Sequence, residues 1–207
     1  MGDWTPEPVN APGSMSGRFV QAKNWLKVKE GGKLIQKFRC RILSKAVAGL
    51  VGWTADNKPI RARDMSMFPD DQKWREEKDP AGKMKVQLPK EFWAMAVWDY
   101  EGGQTVKVWE VPQRGIRDAI SAAVKDKGSP FGYDLIVRRS GKGLDTTYTV
   151  STADSAPMPP EAAAEWASLQ AAGFDLEALF DGGDPFPAAA PAAPAPTGDG
   201  GRPNLPF

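Results

Sequence analysis

Eight tryptophans stand in a chain of 207 residues that also carries 27 lysines and arginines. Flat rings interleaved with cations are the mixture that single-stranded nucleic acid requires, because rings stack on unpaired bases while charges follow the phosphates. Trp53 and Trp74 sit in polar turns beside Lys58, Arg61, Arg63, Lys73 and Arg75 and are the better stacking candidates. Trp93, Trp98 and Trp109 lie in apolar, strand-like runs, where core packing is as natural a role as stacking. Lys37, Arg39 and Arg41 alternate with Phe38, Cys40 and Ile42, so a strand aims all three charges from one face. Such a row is a phosphate track; the plainer reading is a solvated outer face.

A second chemistry lies at the other end. Leu205-Pro206-Phe207 offers an aromatic ring, a rigid proline and an α-carboxylate, a combination that a partner captures in an apolar pocket rimmed by basic groups. Pro185, Pro187, Pro191, Pro194 and Pro196, interleaved with alanine, form an extended segment that projects it. Catalytic signatures are sparse. Histidine, the commonest general base, is absent, and the single Cys40 makes neither an internal disulfide nor a cysteine zinc cluster. Lys142, between Gly141 and Gly143, lacks the spacing and the following Ser/Thr of a phosphate loop and reads as a hairpin turn. Glu76, Glu77 and Asp79 read as a solvated loop rather than a cation site. The expectation is a non-enzyme without metal or cofactor; a carboxylate-metal nuclease is a further rival.

These residues must be positioned by a body whose charge is divided along the chain. From Met158 on there are seven acids and one cation, net −6, and the preceding residues hold 26 cations and 19 acids, net +7. A basic body joined to an acidic segment points to a polyanion partner for which the acids compete. We expect a flexible arm over 1–16, one domain over 17–157, and an acidic, largely disordered tail over 158–207 with a short helical segment at Glu161–Ala172. No apolar run is long enough to span a bilayer and no signal segment is evident, so the expected setting is soluble and intracellular.

Periodicity supplies the elements. Alternation over Lys33–Leu43 predicts a half-buried strand, Ala46–Arg63 a hairpin around Asp56-Asn57-Lys58-Pro59, and Asp64–Lys90 a long surface loop. Phe92–Tyr100 and Thr105–Val111 form the clearest hairpin. Ile116, Ile120 and Val124 share a stripe that predicts one helix over Gln113–Lys127, ended by Gly128 and Pro130. Tyr133–Arg139 and Thr146–Val150 make a further hairpin. The fold expected is mainly β, a five- to six-stranded antiparallel barrel of the oligonucleotide-binding (OB) type with one packed helix.

The runs Phe92-Trp93-Ala-Met-Ala-Val-Trp98, Trp109-Glu-Val-Pro-Gln-Arg-Gly-Ile116, Gly132-Tyr133-Asp-Leu-Ile-Val-Arg138 and Gly141-Lys-Gly-Leu-Asp-Thr-Thr-Tyr148-Thr-Val150 resemble single-stranded-DNA-binding proteins of tailed bacteriophages. The resemblance covers Phe38 to Val150. It implies an OB fold that coats unwound DNA during replication or recombination in the cytoplasm of a bacterial host, and it adds Arg138 and Lys142 to the candidate DNA contacts. The terminal Leu-Pro-Phe is similar to the Ile-Pro-Phe end through which bacterial single-stranded-DNA-binding proteins recruit replication and repair enzymes. This chain departs from that pattern in having only Asp199 nearby and Arg202 where acids are expected. An RNA-binding or RNA-chaperone barrel and a protein–protein adaptor are the alternatives.

Overall fold

The structure, a computed structural model, describes residues 18–20, 25–79, 81–141 and 145–187. Its strands are β1 (Leu26–Glu30), β2 (Lys33–Ile42), β3 (Val47–Trp53), β4 (Pro59–Ala62), β5 (Glu76–Lys78), β6 (Met84–Val86), β7 (Lys90–Asp99), β8 (Thr105–Val111), β9 (Tyr133–Ser140) and β10 (Thr147–Ser155). Helix α1 (Arg114–Lys127) joins β8 to β9, and α2 (Pro160–Ala171) follows β10. The main sheet is antiparallel in the order β10-β9-β2-β7-β3-β4, with β1 beside β2 and β8 beside β7; β5 and β6 form a separate ribbon. Among the described residues no strand pair joins β10 to β4, so the sheet is open rather than a closed barrel.

Two strands change partner along one edge. β2 pairs with β1 at its start and with β7 over Cys40–Ile42, while β9 holds its other edge. β7 pairs with β3 through Lys90–Ala94 and with β2 through Val97–Asp99. The extra strand β1, unforeseen in the sequence, is turned back by Gly31 and Gly32, both at positive φ (56° and 78°), a two-residue connection that suits glycine. The stretch read as one long loop, Asp64–Lys90, also contains a 3-10 turn at Met65–Met67 and the β5–β6 ribbon.

β7 explains the layers. Trp93, Met95 and Val97 join a core with Trp25, Phe38, Cys40, Ile42, Trp109, Leu135 and Val137, covered by Ile116 and Ile120 of α1. Phe92, Ala94, Ala96 and Trp98 point the other way, into a second core with Val106 and Val108. A strand apolar on both sides needs cover on both sides. The second cover is Ala162 of α2, Leu176 and Leu179 of a 3-10 turn (Leu176–Leu179), and Phe186, all buried. The expected tail therefore begins too early: residues 158–187 belong to the folded body, because the hydrophobic positions between their acids complete a core. Trp166, Phe174 and Phe186 form an edge-to-face chain with centroids 5.1 Å apart at each step.

Glycines on β3 admit neighbours from opposite sides. A Cβ on Gly49 would collide with the Phe180 ring and one on Gly52 with the Trp74 ring. The β7–β8 turn is closed by charge: Asp99 Oδ1 accepts from the Glu101 and Gly102 amides, and Lys107 Nζ donates to Asp99 Oδ2 (2.7 Å) and Gly102 O (2.6 Å) with both side chains buried. Burial, reinforced by the charges of Asp99 and Asp134, pushes the Cys40 thiol well up, which makes it a core side chain rather than a nucleophile. No described helix is long and apolar enough to cross a membrane.

Leu179 is 1 % exposed at the centre of the second cover. We expect Leu179→Ala to destabilise the fold by about 3 kcal/mol, read as a lower urea midpoint at unchanged m-value.

Candidate nucleic-acid interface

The register of β2 against β9 sets Lys37 opposite Arg138, Arg39 opposite Ile136 and Arg41 opposite Asp134, all on the face away from the first core. Their fates differ. Arg41 is 1 % exposed; its Nε donates to Asp134 Oδ1 (2.5 Å) and its Nη1 to the carbonyls of Phe131 and Ala156. A guanidinium sealed this way offers nothing to a phosphate, which corrects the expectation that the whole row contacts DNA; Asp134 directly opposite makes its burial tolerable. Arg39 donates from Nε and Nη2 to Asp134 Oδ2 (2.9 and 2.6 Å) and lies 4.6 Å over the Tyr100 ring, yet its side chain stays 44 % exposed. Burial, then the charge of Asp134, holds the Tyr100 hydroxyl above its usual range, so it stays a neutral donor to Asp134. Arg138 donates to Ser151 and, like Lys37, is half-buried. Lys37, Arg39 and Arg138 thus form a compact cationic row on two adjacent strands.

A second group forms where the chain after β4 returns to the end of β3. The Arg75 amide donates to Trp53 O (2.8 Å), the Ala55 amide to Lys73 O (3.0 Å), and the Gln87 amide to Arg75 O (2.8 Å). This short ladder sets the Arg75 guanidinium 5.4 Å over the Trp53 ring, which is 39 % exposed. Arg75 is itself fixed, donating to Gln87 Oε1 from Nε and Nη2 and to Glu77 Oε1. Lys58, in the turn at Asn57 (φ 60°), and Lys73 are exposed in the same region. Trp74, expected to stack on bases, is half-buried against Gly52 and edge-on to Phe68, 5.0 Å between centroids.

The other expected contacts divide clearly. Trp98 lies in the second core, and Trp109 lies in the first, 5.3 Å from Phe38; both are nearly inaccessible, so they cannot reach a base. Trp93 is half-buried against the first core. Arg61 is 9 % exposed and ion-paired with Glu110 at 2.5 Å. Arg63 pairs with Glu177 and lies 4.2 Å over Phe180, clamping the C-terminal cover to β4. Lys142 and Leu205, Pro206 and Phe207 lie outside the described residues. Sequence reasoning missed Tyr100 and Gln87, whose roles depend on partners 34 and 12 residues away in the chain.

The acids of the presumed tail are also employed. Glu165 Oε1 accepts from Thr105 Oγ1 (2.7 Å) and the Val106 amide (3.0 Å), and Glu177 holds Arg63. They act as fasteners of the second cover.

Glu110 carries the pH consequence. Burial raises its carboxyl above the ordinary range, against the opposing pull of Arg61. A raised carboxyl pKa means that ionisation costs more in the folded chain than in the unfolded one, so wild-type stability falls as pH rises through the folded value. We expect Glu110→Gln to gain stability relative to wild type as the pH rises from the ordinary carboxylate range through the raised value of Glu110; urea titrations across that rise read the slope. A flat difference would remove the burial argument.

Comparison with known proteins finds no matching family model, no matching curated protein and no matching solved structure.

Proposed function

We propose that this chain is a sequence-independent single-stranded-DNA-binding protein on an OB-type fold, acting in phage DNA replication or recombination without catalysis. The observation that carries the reading is Trp53, an exposed ring held beside a fixed guanidinium with Lys58 and Lys73 around it. A part-exposed flat ring flanked by cations suits stacking on an unpaired base whose phosphates the cations follow. The cationic row Lys37, Arg39 and Arg138 supplies phosphate contacts on the same scaffold. The OB-type reading rests on the antiparallel sheet, on the changes of partner along β2 and β7 that bend it, and on α1 set between β8 and β9. The open path of the sheet differs from a fully closed barrel.

Oligo-dT is expected to quench tryptophan fluorescence. Trp53→Ala is expected to weaken binding by about 1–3 kcal/mol, with a cooperative urea transition showing that the variant is still folded. Lys37→Ala is expected to flatten the dependence of log K on log salt by about 0.7, one phosphate contact on a single strand. Absence of quenching by oligo-dT at low salt would overturn the reading.

The terminal Leu205-Pro206-Phe207 is proposed as the handle for replication or recombination proteins. Deleting these three residues is expected to leave oligo-dT affinity unchanged and to abolish pull-down of a bacterial or phage replication enzyme. Retained capture would sink the handle.

A further inference from the structure

A cleft of about 380 Å³ opens beside Trp53 between the ends of β3 and β8, bordered by Arg75, Gln87, Lys90, Glu110 and Gln113. Its size is within the range of sites that bury small molecules. One border is the flat, part-exposed Trp53 ring with Arg75 over it. The polar groups are oriented. Gln87 Oε1 already accepts two bonds from Arg75, so the donor left to Gln87 is its Nε2 amide hydrogens. Glu110 Oε1 is buried against Arg61 at 2.5 Å, while the Glu110 side chain stays 21 % exposed and lines the cleft, so the acceptor open to a ligand is its other oxygen, Oε2. The ion pair through Oε1 therefore fixes the carboxylate in place and leaves Oε2 to accept from a ligand.

We propose that this cleft seats one unpaired base of the bound strand, with Glu110 accepting from the exocyclic amino group and Gln87 donating to the neighbouring ring nitrogen or carbonyl. The proposal rests on the single-stranded-DNA reading and adds a base preference to it. Cytosine presents an amino donor at C4 beside acceptors at N3 and O2, the order that Glu110 and Gln87 complement. Thymine presents a carbonyl where cytosine has the amine, which sets oxygen against carboxylate. Stacking on Trp53 tolerates either base, so the discrimination resides in Glu110.

The test compares the full-length wild-type chain bound to oligomers of equal length made of cytosine, of thymine, and of 2-pyrimidinone, which is cytosine without its 4-amino group. Fluorescence quenching at one fixed salt concentration gives the affinities. We expect the pyrimidinone oligomer to bind about fivefold more weakly than the cytosine one. Because the comparison varies only the DNA, it does not depend on a variant folding. In Glu110→Gln, whose amide can present either a donor or an acceptor, the ratio of cytosine to thymine affinity is expected to drop by about fivefold. Equal wild-type binding of cytosine and pyrimidinone oligomers would overturn the base seat while leaving DNA binding intact. Failure of all three oligomers to bind would overturn the DNA-binding reading itself.

Discussion

The two-sided burial of β7 is the constraint on which the rest of the structure depends. Its residues from Phe92 to Trp98 alternate between two cores, and apart from Trp93 every one of them is buried. With only one covered face, the rings of Phe92 and Trp98 would lie in water; covering both draws in α1 on one side and α2 with the Leu176–Leu179 turn on the other. The neighbours follow from this. β3 carries Gly49 where the Phe180 ring presses down and Gly52 where Trp74 does, so both sides of that strand accept aromatic cover at close approach. β8 begins against Glu165, which binds the Val106 amide and so couples the edge of the sheet to the second cover.

Charge is spent on assembly before any is left for a ligand. Arg41 with Asp134, Lys107 with Asp99, Arg61 with Glu110, Arg117 with Glu91 and the carbonyls of Glu91 and Pro112, and Arg63 with Glu177 all join elements of the fold. Removing one member of the buried pairs would strand the other in a low-dielectric interior, so these contacts fix geometry more than they add net stability. A positive total on the body therefore overstates the field presented to a polyanion. Arg39 is the intermediate case: it shares Asp134 with Arg41, so two cations meet one acid, and its exposed guanidinium retains attraction for phosphate while staying fixed.

Much of the scaffold was legible. The β7–β8 hairpin, α1 and the β9–β10 hairpin lie where alternation, the three-four stripe and the glycines put them, because each is decided by short-range pattern. β1 was not, since Leu26–Glu30 has little to mark it apart from the Gly31-Gly32 turn that returns the chain to β2. Among the site residues, Trp53 was marked by its polar turn, and the exposure of Arg39 by alternation. What local pattern could not convey was the cross-strand partner. Arg39 and Arg41 are equivalent in sequence, and only the registry of Arg41 opposite Asp134, 93 residues away, buries one and leaves the other open. Trp98 and Trp109 are likewise decided by what covers them.

The C-terminal region was the largest misreading, and its cause is physical. Counting acids and prolines over 158–207 averages two unlike pieces: a part through Pro187 whose apolar residues Ala162, Leu176, Leu179 and Phe186 are buried, and a distal part rich in proline and alanine. A truncation after Pro157 is consequently no measure of electrostatic masking. It would uncover Phe92, Trp98 and Val108 and remove Glu165 from the start of β8, so any change in DNA affinity would be confounded with loss of the second core. Nor do all the acids from Glu161 to Asp184 act as a mobile screen, because Glu165 and Glu177 are fixed to Val106 and Arg63. Any masking of a cationic face by this segment must be sought in the acids that the second cover does not employ. Where the described part of this segment ends, Phe186 packs in the second core and the Arg18 guanidinium lies 4.5 Å over its ring.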